Sequence, residues 1–132
     1  PEKAKSYAVK KIYCKSYNIL NTAFEIIAQS KNPKDIVYFE EAISKAEGYK
    51  KLAIYNNYGT YIASLDQKSI QNYITRFETM IGSEDETDVY CSKYALRMLK
   101  TEIVKREDME SKSNVDEINR ILEKGKTQED EF

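Results

Sequence analysis

The sequence predicts an all-α fold, a single-domain bundle of five or six helices. Apolar residues recur at spacings of three and four along most of the chain, which is the period of a helix with one buried face. Only 4 glycines and 2 prolines occur, so breaks between helices are few, and 132 residues suit one domain. We expect residues 1–125 to form this helical domain and residues 126–132 to be a flexible C-terminal tail.

Two of the predicted helices are long, at about residues 2–29 and 84–110. The first segment contains neither glycine nor proline. The second opens with Ser83 and Glu86, a pair spaced as in a capping box, in which each residue bonds the backbone of the other. Because these two helices have comparable lengths, we expect them to pack against each other.

Shorter helices are predicted between and after the long ones. Asn32 followed by Pro33 is typical of a helix start, here for a helix that continues to about Glu47. A second capping box, Ser64 with Gln67, predicts a helix that Gly82 ends. A short last helix is expected to begin at the cap residue Asn114, after a polar break at residues 111–113.

Residues 51–64 are compatible with two structures. Ile54, Tyr58, Tyr61 and Ile62 fall on one face of a helix, whereas residues 52–55 and 60–63 also suit two strands joined by a turn. We favour the helix because its neighbours are helical and an isolated hairpin is only marginally stable. An α fold with one β-hairpin at about 51–64 remains the alternative.

A second architectural alternative comes from a resemblance. The segments Phe39-Glu-Glu-Ala42-Ile43 and Tyr55-Asn-Asn-Tyr58-Gly59-Thr-Tyr61-Ile62 are similar to parts of the second and first helices of a tetratricopeptide repeat. The resemblance covers about residues 36–81 and implies stacked helical hairpins. Asp35 departs from it, because a small residue is expected there.

Several classes of function are disfavoured by composition. The net charge of -1 attracts no particular partner, and without histidine there is no imidazole for a catalytic triad or for a His-containing metal site. The acidic run Glu84, Asp85, Glu86 and Asp88 suits a helix N-terminus better than a calcium loop. We therefore predict no catalytic residue, no metal and no cofactor, and a non-catalytic subunit or divergent enzyme is only the second alternative function.

Cysteine content and hydropathy bear on the cellular context. Cys14 and Cys91 are too few for a disulfide scaffold, so we expect reduced, structural thiols. No apolar run reaches the roughly 18 residues of a membrane span, which predicts a soluble chain with no membrane partner. Localisation stays open: the cytoplasm is favoured, and the alternative is a signal segment removed before Pro1.

The 11 tyrosines point to binding of another protein, which is the predicted function. Tyrosine combines a large apolar ring with a polar hydroxyl, and it is common at protein interfaces as well as in helix packing. The densest group has more rings than one helix can bury on one side. The candidate protein-binding residues are Tyr49, Tyr55, Asn56, Asn57, Tyr58 and Tyr61.

The basic N-terminal segment suggests the alternative function, association with nucleic acid. Lysines interleaved with tyrosines can contact phosphates and stack on bases. Most of the 21 basic residues are lysine, and the abundance of lysine, isoleucine, asparagine and tyrosine suggests an AT-rich genome, which weakens the signal. The candidate nucleic-acid-binding residues are Lys3, Lys5, Lys10, Lys11 and Lys15. A protein partner is favoured over nucleic acid, and a homo-oligomer is a further option.

Overall fold

A computed structural model describes residues 2–124 of the chain, and that part is all-helical, as predicted. No strand occurs within these residues, and the segment that suited a β-hairpin is a helix. None of the helices in this part is long and apolar enough to cross a membrane. The helices are α1 (Glu2–Val9), α2 (Tyr17–Ser30), α3 (Ile36–Lys45), α4 (Lys50–Ile62), α5 (Gln67–Ile81), α6 (Glu86–Ile103) and α7 (Met109–Lys124), with a 3-10 turn at Pro33–Asp35 before α3.

The helix α4 lies at the centre, between α2 and α6. Gly59 brings α4 so close to α6 that a Cβ at this position would clash with the carbonyl of Ala95 and lie 2.8 Å from the nitrogen of Leu99. Further along both helices, the Arg106 guanidinium donates to the Ala63 carbonyl. Because later residues of α4 meet later residues of α6, the two helices are parallel.

The helix α2 runs in this same direction. Near the start of α2, the ring of Tyr17 lies 6.3 Å from the ring of Tyr49, just before α4. Past the other end of α2, the carbonyl of Asn32 accepts a hydrogen bond from the Tyr61 hydroxyl. The helices α2, α4 and α6 therefore form one layer of parallel neighbours.

The remaining helices form a second layer that runs the opposite way. Tyr55 packs on Phe77 and Tyr58 on Tyr73, so α5 is antiparallel to α4. The other members are α1, α3 and α7. The helix α1 folds back along α2, and α3 covers α2 and α4. The helix α7 lies beside α5 and α6.

Aromatic rings fill the space between the layers. Phe39 of α3 lies at the centre, with ring centroids at 4.8 Å from Phe24, 5.1 Å from Tyr58 and 4.7 Å from Tyr61. All four residues are buried. Offset and tilted ring contacts of this kind add to the free energy gained from burying apolar area.

The predicted long helix at 2–29 is wrong, since the chain leaves the helix at residues 10–16. Ser16 caps α2 by accepting a hydrogen bond from the nitrogen of Ile19. The turn lets α1 fold back so that Ala8 and Ile12 are buried. Tertiary burial thus outweighs the helical tendency of a segment that lacks glycine and proline.

The predicted helix at 84–110 is too long, because α6 ends at Ile103 and α7 begins at Met109. Asp108 caps α7 by accepting hydrogen bonds from the nitrogen and the hydroxyl of Ser111, so the predicted break at 111–113 lies inside α7 and Asn114 is not a cap. The expected pairing of the two long helices is also wrong. The helix α6 packs mainly on α4.

The other helix starts were placed within a few residues. Asn32 caps the 3-10 turn as predicted, through the nitrogen of Lys34. Asp66 and Asp85, rather than Ser64 and Ser83, cap α5 and α6. The predicted tail at 126–132 lies outside the described residues.

Candidate functional site

Three of the candidate protein-binding tyrosines are core residues. Tyr55 and Tyr58 face α5, Tyr61 faces α3, and the exposed fractions of Tyr58 and Tyr61 are 2% and 0%. Burial raises the pKa of Tyr55 and of Tyr61 to about 12. These rings cannot touch a partner in this conformation.

The two candidate asparagines link α4 to α2. The Asn57 amide donates to the carbonyls of Ala53 and Asn21 and to the side-chain oxygen of Asn21, and Asn56 donates to that same oxygen. Asn57 is buried and Asn56 is half-buried. Only Tyr49 of the predicted group is well exposed, at 67%, so the six residues do not form one surface patch.

The candidate nucleic-acid-binding lysines do not form one stripe along a helix either, because the predicted helix at 2–29 is interrupted at residues 10–16. Lys3 and Lys5 are in α1, Lys10 and Lys11 are in the turn that follows, and Lys15 precedes the cap of α2. Lys5 makes a 2.8 Å ion pair with the buried carboxylate of Asp35. Its charge therefore stabilises the attachment of α1.

The structure instead brings one residue from each predicted group to a common surface, where the α1–α2 connection meets the α3–α4 connection. Lys15 and Tyr49 lie there with Tyr13, Lys45 and Lys50, and we call these five residues the tyrosine–lysine corner. A cavity of about 270 Å³ opens beside them, lined by Tyr13, the three lysines and apolar residues such as Ile12 and Leu20. Tyr49 precedes Lys50 in the chain and lies outside this lining.

The ring of Tyr13 is held in place at the corner although it is 51% exposed. The ammonium of Lys45 lies 4.8 Å from the ring centroid. Interaction between the Tyr13 hydroxyl and the Glu41 carboxylate raises the pKa of Tyr13 and, together with Lys45, lowers the pKa of Glu41. An exposed ring that is already ordered loses little freedom when a partner binds.

Two helix N-termini add positive potential at the corner. The helices α2 and α4 both begin there, and neither has an acidic residue in its first turn. A helix N-terminus carries about half a positive charge, which acids in the first turn usually balance. In α4 the first turn instead contains Lys50 and Lys51. This arrangement costs local stability and favours binding of an anionic group.

Among residues 2–124, no three Cys, Asp or Glu side chains are grouped so that they could hold a metal ion. Cys91 is buried, which raises the pKa of its thiol to about 11 and leaves little thiolate at neutral pH. The groups that the corner presents are ammonium groups, tyrosine hydroxyls and exposed rings.

Sequence reasoning missed Tyr13, Lys45 and Lys50 as members of this site. Tyr13 and Lys15 are near neighbours in the sequence, but Lys45 and Lys50 are separated from them in the sequence by α2 and most of α3. The signal that was available is the pair of lysines at the start of α4, where a helix normally prefers acids.

Comparisons with family models, with curated proteins and with solved structures found no match for this chain.

Proposed function

We propose that this domain binds an acidic segment of a partner protein through the tyrosine–lysine corner, and that it has no catalytic site of its own. The observation that carries the proposal is the gathering of three lysines and the exposed Tyr13 around one cavity at two helix N-termini, with the exposed Tyr49 adjacent to Lys50. Tyrosine rings supply contact area at low rotamer cost, and the lysines select for carboxylates or other anions.

A protein partner fits the corner better than nucleic acid for two reasons. The corner is a compact cavity rather than a basic groove along which a phosphate backbone could run. Its cations are all lysine, which lacks the bidentate geometry of arginine toward phosphate and guanine.

Association with nucleic acid remains the second candidate, supported by the exposure of Lys3, Lys10 and Lys15 in the N-terminal segment. Lysines with exposed rings between them can contact phosphates and stacked bases. In this case affinity would fall steeply with salt as counterions are released.

The test is affinity capture from the native lysate, with matched variants. The corner variant carries Lys15→Ala and Tyr49→Ala, and the control variant carries Lys112→Ala and Tyr90→Ala, which changes the same residue types at exposed positions elsewhere. We expect a protein in nuclease-treated lysate to be retained by the wild type and the control but not by the corner variant. Equal retention by all three contradicts the proposal, and loss of every bound protein after nuclease treatment favours nucleic acid.

For the architecture, we propose that α2–α3, α4–α5 and α6–α7 are three stacked hairpins, as the resemblance to tetratricopeptide repeats implies. Support comes from the parallel first helices, in which Asn57 bonds Asn21 across a separation of 36 residues. The close approach of Gly59 to Ala95 has this same separation. A solved structure with α4 outside the layer formed by α2 and α6 would contradict this arrangement.

A further inference from the structure

A second surface, which sequence analysis did not single out, lies between α3 and α5. Both helices pack against α4, and a cavity of about 230 Å³ opens between them. Its walls are Ile43 of α3 and Met80 of α5, and the rings of Tyr58 and Phe77 lie beneath. We call this surface the α3–α5 groove.

The two walls of the groove carry opposite charges. Glu40 and Arg76 both line the cavity, on α3 and α5 respectively. The Tyr73 hydroxyl lies 3.4 Å from one oxygen of Glu40, and the Arg76 guanidinium lies over the Tyr73 ring, 5.3 Å from its centroid. Tyr73 thus positions both charged groups.

The position of Arg76 favours binding of a carboxylate. A guanidinium over an aromatic ring keeps its N–H donors at its edge, where they match the two oxygens of a carboxylate. Arg76 also lines a neighbouring cavity of about 250 Å³ with Ser69 and Asn72. The groove therefore continues past Arg76 along α5, with hydroxyl and amide groups beyond the apolar part.

The size of the groove selects the kind of occupant. Pockets for small organic ligands usually have volumes of about 300–1,000 Å³, and each of these two cavities is smaller. The first cavity instead suits one apolar side chain between Ile43 and Met80. Met80 is partly exposed, and methionine side chains adapt readily to an inserted group.

The geometry points to the α3–α5 groove as a docking site for a peptide segment of a partner protein, one that inserts a single large apolar side chain between α3 and α5 and places an acidic residue against Arg76. The site is separate from the tyrosine–lysine corner, so the test of this proposal is independent of the function proposed above. Glu40 on the opposite wall disfavours a segment with acids on both sides, which gives the docked peptide an orientation.

The test uses a defined probe, the capped peptide acetyl-Ser-Leu-Ser-Glu-Ser-amide. Two matched peptides replace its glutamate by glutamine or its leucine by alanine. Each is titrated into the 15N-labelled full chain, and amide chemical shifts are followed. We expect the acidic peptide to shift the amides of α3 and of residues 73–80, with an affinity at least about threefold above that of either matched peptide.

The variant Arg76→Gln should lower the affinity for the acidic peptide to that for the glutamine peptide. Arg97→Gln, at an exposed arginine of α6, is the control and should change nothing. Unchanged spectra are sufficient to show that both variants fold. The proposal is overturned if the acidic peptide causes no shifts, if the shifts lie outside the groove, or if the affinity is the same with Arg76→Gln.

Discussion

The tyrosines of α4 and those of the tyrosine–lysine corner are chemically identical but have opposite roles. Tyr58 and Tyr61 of α4 are almost wholly buried, the ring of Tyr58 against Tyr73 and the hydroxyl of Tyr61 donating to the carbonyl of Asn32. Tyr13 and Tyr49 are more than half exposed. The difference follows from the position of each residue relative to the two layers, since α4 is covered by α2, α6, α3 and α5, whereas the corner lies in connections between helices. Tyrosine content alone therefore does not locate a binding surface.

The largest expected contrast is between Tyr58→Ala and Tyr49→Ala. Truncating Tyr58 leaves a cavity among Phe39, Tyr73 and Phe77, so we expect the free energy of unfolding to fall by about 3–5 kcal/mol. Urea denaturation followed by circular dichroism measures this change. A loss below about 1 kcal/mol for Tyr58→Ala would show that its ring is not in the core.

The substitution Gly59→Ala tests the close contact between α4 and α6. Its Cβ would clash with the Ala95 carbonyl, and the backbone of α6 must move. We expect a loss of about 2–3 kcal/mol, which exceeds the gain in helix propensity of up to about 1 kcal/mol. Gly82→Ala is the control, because the nearest atom to its Cβ, the Thr79 oxygen, lies 3.4 Å away. Equal effects at both glycines would contradict the close approach of α4 to α6.

Alkaline pH should destabilise the core without requiring a mutation. The pKa of Tyr55 and of Tyr61 is about 12 in the folded chain, against about 10 in the unfolded chain. Unfolded tyrosine loses its proton first, so stability is fully present below pH 10 and falls between pH 10 and 12. At pH 11 each residue should contribute a loss of about 1 kcal/mol relative to pH 9. Tyr55→Phe should reduce the loss, and an unchanged pH dependence in this variant would show that Tyr55 titrates normally.

The smallest expected effect is at the corner. Because the side chain of Tyr49 is 67% exposed, Tyr49→Ala should change the free energy of unfolding by less than about 0.5 kcal/mol. The same urea titration provides the measurement. A loss above about 1.5 kcal/mol would mean that its contact with Tyr17 is structural, and the corner would then be a packing element.

The helices with a regular apolar spacing were predictable, and the connections between them were not. For α5, the buried residues Ile70, Ile74 and Phe77 recur at spacings of four and three, and Gly82 follows the helix. The break before α2 depends on the burial of Ala8 and Ile12 against a helix that comes later in the chain. A local pattern contains no information about that contact.

The candidate site was only half predictable for a similar reason. Tyr49 and Lys15 could be chosen as exposed, chemically suitable residues. Their proximity depends on Tyr17 packing against Tyr49 across a separation of 32 positions, and on α3 returning the chain to the corner. Tyr58 and Tyr61 were indistinguishable from Tyr49 by residue type, because a helix that is covered on nearly all sides lacks the polar face that would mark its exposed residues.

The parallel course of α2, α4 and α6 has a consequence for how the chain folds. Neighbours in this layer cannot be joined by a short turn, because α3 or α5 must first bring the chain back. The hydrogen bonds from Asn57 to Asn21 accordingly close a loop of 36 residues. Folding rates of small domains decrease as contacts become more distant in sequence. We therefore expect this domain to fold more slowly than an up-and-down helical bundle of equal size.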